Sequence, residues 1–200
     1  MQHDASAGHR ASGRLIILVG PSGSGKDSLI DAVSGPLSEA GVKIARRVIT
    51  RSAEAKGESA HGVSPERFEA MRAAGEFAMH WRANGLDYGI PAQVDQWLAQ
   101  GHGVLVNGSR AYLPEARRRY PDLLAVCLQV KPDVLRERLL ARGRETAQQI
   151  DQRLARNAQL QAEAVPAVHL LDNSGSLKAA AQAFIALLRE QGVFISHDES

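Results

Sequence analysis

Gly20-Pro21-Ser22-Gly23-Ser24-Gly25-Lys26 puts three glycines, two hydroxyls and a lysine within seven residues. Glycines let successive backbone N–H groups turn inward and approach phosphate oxygens closely. The N-terminus of a following helix adds a positive dipole end. Lys26 supplies a mobile charge for β- and γ-phosphates. The stretch matches G-x-x-x-x-G-K, a pattern that requires a buried strand before it and a helix after it. Arg14–Val19 (RLIILV) is the apolar run of a buried strand, and Leu29, Ile30 and Val33 share one face of a helix expected over Lys26–Val33. A glycine-rich turn without a ligand has the same local look, but it would not need every position of the motif in this context. The expectation is a nucleoside triphosphate cradled from Gly20 to Ser28.

One position departs from the pattern. Asp27 stands where Ser or Thr usually meets a magnesium ion, and Ser28 follows it. A carboxylate is a hard oxygen ligand that suits Mg²⁺. Asp27 and Ser28 are therefore the metal candidates, with ATP and Mg²⁺ the expected cofactors. In the other reading, Ser28 or water serves the metal and Asp27 caps the helix. The chain lacks N-K-x-D, the guanine-reading signature of GTPases. Val104–Val106 is followed by Asn107, where a second acidic residue would be usual.

These residues need a frame to hold them. Arg46–Thr50 reads as a second strand, and polar Arg51–Gly62 as a loop. Ser64-Pro65 opens a helix ending near Gly75, with the serine capping and the proline at the first helical position. Asn84-Gly85 between Phe77–Trp81 and Tyr88–Ile90 is a strong hairpin signal. Pro91 opens a helix carrying Val94, Trp97 and Leu98. Val104–Val106 and Leu123–Val130 read as buried strands, with a basic helix over Ala111–Tyr120 between them. Pro132 opens a helix with Leu135 and Leu139 on one face, stopped by Gly143. Thr146–Ala162 reads as a polar helix and Ala167–Leu171 as the last strand. Leu177, Ala181, Phe184 and Leu188 then make a helical stripe. Alternating apolar strands and amphipathic helices predict an α/β fold with a parallel sheet. The hairpin and the polar stretch Arg142–Gln149 fall as insertions at the carboxyl edge of that sheet, where ligands bind.

Composition narrows the class. A chain of 200 residues suits one α/β domain with a small lid. A formal net charge of +2 does not make a nucleic-acid binder. The single cysteine, Cys127, lies in an apolar run and permits no intrachain disulfide. No apolar run is long enough to span a bilayer. Met1–Gly13 reads as a flexible leader without a signal-peptide core, 14–194 as one P-loop domain and 195–200 as a loose tail. A cytoplasmic location is expected.

Several further stretches resemble the guanylate kinases. They are Ile49-Thr50-Arg51, Gly57-Glu58, His61-Gly62-Val63-Ser64 and Asn84-Gly85-Leu86-Asp87-Tyr88-Gly89-Ile90, with Leu139, Arg142, Gly143, Ile150 and Arg153-Leu154 for the lid, and Asp172-Asn173 for the adenine-side loop. The resemblance covers about Arg14 to Leu188. It implies a P-loop NTPase of the nucleoside-monophosphate-kinase type, with a five-stranded parallel sheet, an acceptor subdomain at about 51–91 and a lid at about 142–153. The departures point away from GMP. His80 stands where that family reads guanine with Glu, the tyrosine after His-Gly is missing, and no counterpart to a second acceptor arginine is evident. Asn107-Gly108-Ser109-Arg110 replaces the acidic residues after Val104–Val106.

That replacement set is itself distinctive. G-P-S-G-S-G-K-D-S, I-T-R, H-W-R-A-N-G-L-x-Y-G-I and V-L-V-N-G-S-R-A-Y-L-P together resemble the ribose 1,5-bisphosphate phosphokinases of phosphonate degradation. This resemblance implies phosphoryl transfer from ATP to the 1-phosphate of a small sugar bisphosphate, giving 5-phosphoribosyl 1-diphosphate. A sugar bisphosphate has no base to read but has two phosphates, which need arginines and neutral donors. Arg51, Tyr88, Asn107, Ser109 and Arg110 are the expected acceptor ligands, although a plain strand-to-helix turn with a cap would also account for 107–110. Lys26, Arg142 and Arg153 are the expected catalytic charges, with Arg144 and Asn173 on the nucleotide. Competing readings are a guanylate kinase, a gluconate-type sugar kinase and a non-catalytic interaction module.

Overall fold

The computed structural model describes residues 13–51, 60–162 and 167–193. The expected Gly57-Glu58 match, most of the leader and the tail lie outside the described residues.

The strands and helices run in the order β1 (Leu15–Val19), α1 (Lys26–Glu39), β2 (Lys43–Ala45), β3 (Val48–Ile49), β4 (His61–Gly62), α2 (Pro65–Ala73), β5 (Phe77–Ala83), β6 (Leu86–Pro91), α3 (Gln93–Ala99), β7 (Val104–Asn107), α4 (Leu113–Arg119), β8 (Leu124–Gln129), α5 (Pro132–Ala141), α6 (Ala147–Ala162), β9 (Val168–Asp172) and α7 (Leu177–Glu190). A five-stranded parallel sheet has the order β2-β7-β1-β8-β9. Its centre is β1, every residue of which is buried. Apolar side chains cover both faces of this sheet, because the pleat sends Ile17 and Val19 to one side and Ile16 and Leu18 to the other. Leu18 pairs with Asn107 and Val19 with Cys127, so β1, β7 and β8 end at one level. This carboxyl edge is where the P-loop leaves the sheet.

A second, four-stranded sheet of order β4-β3-β6-β5 carries the acceptor side. Its hairpin turns at Asn84 (φ 52) and Gly85 (φ 77), the two left-handed residues that Asn-Gly supplies cheaply. α2 covers one face through Phe68 against Phe77 at 4.7 Å. Ser64 caps that helix as expected, accepting from Arg67 N at 3.1 Å.

Four sequence expectations need correcting in detail. The strand expected over Arg46–Thr50 is broken: β2 closes the main sheet, and the chain then crosses at Arg46-Arg47 to begin the second sheet as β3. Pro91 closes β6 rather than opening a helix, and α3 starts at Gln93. α1 continues past Val33 to Glu39 and includes Pro36. On α7 the buried positions are Ala180, Phe184 and Leu188, while Leu177 is exposed, because the helix meets the sheet one position away from the stripe. Among the described residues no helix is long and apolar enough to cross a membrane.

Candidate active site

The P-loop is built from three sides. From within, Lys26 folds back so that Nζ donates to Gly20 O at 2.8 Å and Pro21 O at 3.2 Å. From below, Asn173, buried just after β9, donates through Nδ2 to Ser24 O at 2.7 Å. Gly25 has φ +91, and a Cβ there would lie 2.7 Å from Asn173 Nδ2, so the support and the glycine require each other. From above, α5 and α6 form a small apolar core of Val130, Leu135, Leu139 and Ile150 and rest on the loop. Arg153 of α6 donates to Ser22 Oγ at 3.0 Å and pairs with Glu145 at 2.6 Å.

α1 has Gly25 as its N-cap, with no side-chain hydrogen bond. Its first-turn N–H groups are thus left for an anion rather than taken by a serine or aspartate. The buried Ser24 hydroxyl also makes no hydrogen bond among the described residues. An orphaned buried hydroxyl in this cradle fits a phosphate oxygen as its partner.

Asp27 does not cap α1. Its Oδ1 accepts from Asn107 Nδ2 at 2.7 Å and lies 3.7 Å from the Arg47 guanidinium. Asn107 is the last residue of β7 and is buried, with its Oδ1 unpartnered among the described residues. The site contains no cluster of three His, Cys, Asp or Glu side chains among the described residues. A single carboxylate anchored by an amide suits Mg²⁺, which takes one or two protein carboxylates and completes its shell with phosphates and water. Ser28 is exposed on α1.

The acceptor side faces this edge. Tyr88 of β6 stacks on Trp81 with centroids 5.6 Å apart and planes 4° from parallel, and Trp81 meets Tyr112 at 5.5 Å. Arg47 lies over the Tyr88 ring at 5.4 Å. Sequence reading passed over Arg47: the doublet Arg46-Arg47 looks like surface charge, yet Arg46 is exposed and Arg47 is 9% exposed. The available signal was the period of two that puts Arg47 on the same strand face as Ile49. Ser109 is half-buried, and its side chain caps nothing. Arg110 is half-buried in the short 3₁₀ turn Arg110–Tyr112. Arg51 is half-buried just beyond β3.

Arg142 and Arg144 are exposed on the connection between α5 and α6, and Arg153 is an expected lid arginine that reaches the P-loop, at Ser22. His80 is exposed on β5 near Glu69 of α2, on the opposite face of the hairpin from Trp81. Burial pushes the Cys127 thiol up, against the opposing pull of Arg110 and Lys26. The thiol is therefore no nucleophile.

Comparison with known proteins agrees with this geometry. The guanylate kinase family model matches residues 12–182. Ribose 1,5-bisphosphate phosphokinase PhnN of Pseudomonas paraeruginosa is 61% identical over 177 residues, covering 88% of this chain and 96% of that protein. The protein of the same name from Azotobacter vinelandii is 60% identical over 179 residues, covering 90% and 97%. The crystal structure of guanylate kinase from Anaplasma phagocytophilum superposes with a TM-score of 0.68 at 19% identity, covering 90% of this chain and 87% of that one, and so shares the fold. With the P-loop, its lid contact and the non-acidic end of β7 in place, the chain belongs to the ribose 1,5-bisphosphate phosphokinase PhnN family within the guanylate-kinase fold.

Proposed function

We propose that this protein transfers the γ-phosphoryl group of ATP to the 1-phosphate of ribose 1,5-bisphosphate, releasing ADP and 5-phosphoribosyl 1-diphosphate. An oxygen of the 1-phosphate attacks the γ-phosphorus, a new P–O bond forms, and the bond to the β–γ bridging oxygen breaks. The attacking oxygen is already ionised near neutral pH, since the second phosphate pKa is about 6, so no general base is needed. Catalysis then rests on alignment and charge.

The P-loop amides and Lys26 hold the β- and γ-phosphates, with Gly20, Pro21, Ser22, Gly23, Ser24 and Gly25 as the cradle. Asp27 would hold Mg²⁺, which when bound offsets triphosphate charge, and Asn107 orients that carboxylate. Ser28 is the second metal candidate. Arg153 is already on the P-loop and faces the charge that develops in transfer; Arg142 and Arg144 would join it as α5 and α6 close. Asn173 acts on the nucleotide by fixing Ser24. Arg51, Tyr88, Ser109 and Arg110 would hold the sugar and its phosphates.

The observation that carries the reading is the identity of the groups around the acceptor. Guanine recognition wants carboxylate acceptors, whereas among the described residues this side offers arginines, hydroxyls and the Asn107 amide, and His80 lies on the other face of the hairpin. The test is ADP release by the purified protein with ATP, Mg²⁺ and either ribose 1,5-bisphosphate or GMP. Release with the sugar bisphosphate alone is expected. Release with GMP alone would overturn the reading.

A further inference from the structure

The connection from α5 to α6 turns one carboxylate inward. Glu145 is half-buried, whereas Arg144 and Thr146 on either side of it are exposed. The backbone here is fixed by a capping box: Gln149 N donates to Thr146 Oγ1 at 3.3 Å, and Thr146 N donates to Gln149 Oε1 at 2.9 Å. Glu145, one residue before that cap, reaches two turns along α6, where its Oε1 lies 2.6 Å from one terminal nitrogen of Arg153. The other terminal nitrogen of the same guanidinium donates to Ser22 Oγ on the P-loop. The side chains of this pair are 30% and 23% exposed. The Arg136–Asp151 pair between the same two helices is wetter, at 42% and 56%. A pair as exposed as that fixes little, because water screens it and competes for both groups. Glu145 is better placed to hold its arginine in one pose. That hold matters, since a charge stabilises a transition state best when it already points to where the new charge develops.

We propose that Glu145 is a positioning residue for the transfer: it fixes one end of the Arg153 guanidinium, so that the end now on Ser22 is presented to the transferring phosphoryl group. The inference rests on the functional reading above and deepens it. The planar fork of arginine serves both tasks at once, because its terminal nitrogens point in different directions. A phosphate oxygen takes the place of the Ser22 hydroxyl, and the carboxylate keeps its own nitrogen. Glu145 and Arg153 both belong to the lid, so their pair does not tie the lid to the sheet. Glu145 is also outside the apolar core of Val130, Leu135, Leu139 and Ile150 that seats α5 and α6. Its loss therefore changes the aim of Arg153 rather than the fold.

The test crosses Glu145→Gln with Arg153→Ala and reads kcat and KM for ATP, with ribose 1,5-bisphosphate as the acceptor. Glu145→Gln keeps the shape and removes the charge. Its kcat should fall about 10- to 30-fold, less than for Arg153→Ala, with KM for ATP within about threefold. In the Arg153→Ala background the same substitution should change kcat by less than about twofold, because no guanidinium is left to aim. Glu145→Asp keeps the charge on a shorter stem and should recover part of the loss. A merely structural role would lower kcat by the same factor in both backgrounds, and that result would overturn the inference. So would a wild-type kcat in Glu145→Gln, or a raised one, which would mean that the carboxylate restrains the arginine's charge. Absence of any turnover of ribose 1,5-bisphosphate by the wild type would instead overturn the functional reading, and this inference with it.

Discussion

Asn107 at the end of β7 donates to the Asp27 carboxylate at the start of α1, Nδ2 to Oδ1, at 2.7 Å. Two substitutions that look like separate departures from a P-loop kinase are thus one arrangement. The strand end carries an amide in place of an acid, and that amide holds an acidic group on the helix. Asp27→Thr should raise the Mg²⁺ concentration for half-maximal activity about 10- to 100-fold, the range seen when metal-orienting groups are lost, and Asn107→Ala should do so by about tenfold. Mn²⁺ titration followed by electron paramagnetic resonance checks the binding directly. An unchanged metal affinity in Asp27→Thr would assign the metal to other ligands.

Arg153 reaches Ser22 across 3.0 Å while anchored by Glu145. Arg153→Ala should lower kcat by about 100-fold or more, with a much smaller change in KM for ATP, because its charge matters most in the transition state. Single-turnover kinetics separates this from slowed product release. Arg153→Lys should recover only part of the loss.

Asn173 fixes the P-loop from behind. Asn173→Ala strands a buried carbonyl at Ser24 and should cost about 1–3 kcal/mol. For a chain of this size Tm should fall by several degrees, at about 2–4 °C per kcal/mol, and a saturating ATP analogue should restore part of the loss. Gly25→Ala combines the positive φ with the close approach to Asn173 and should abolish nucleotide binding measured by calorimetry.

Tyr120 gives a pH signature far from the site. Burial, and the hydrogen bond from its hydroxyl to Asp95, push its pKa from 10.0 up to about 12. The folded state therefore keeps a proton that the unfolded chain loses, so this contribution is intact below pH 10 and is lost as pH rises towards 12. Tyr120→Phe should flatten the loss of stability in that alkaline window, read by denaturant unfolding at stepped pH. A wild-type and variant profile of identical slope there would contradict the assignment.

The parts of the fold legible in the sequence were those where chemistry and local conformation coincide. The P-loop needs glycines, the Asn84-Gly85 turn needs two left-handed residues, and Ser64-Pro65 opens α2 by capping. β2 was not legible, because Lys43-Ile44-Ala45 is three residues at a sheet edge and has too little periodicity to read. Its junction with β3 was missed for the same reason, and Arg47 with it. In the doublet Arg46-Arg47, a period of two sets Arg47 on the face of Ile49, but two strand residues beyond it are too few to make that pattern stand out. The lid arginines looked alike in sequence, but only the turn of α6 decides that Arg153 reaches the P-loop.

The central claim is the direction and destination of the transferred phosphoryl group. ATP labelled at the γ-phosphate, mixed with the protein, Mg²⁺ and ribose 1,5-bisphosphate, tests it most directly. The account predicts that the label appears in the terminal phosphate of the new 1-diphosphate, with one ADP per product. Label recovered only as inorganic phosphate, or in GDP when GMP is supplied and in no sugar product, would contradict it.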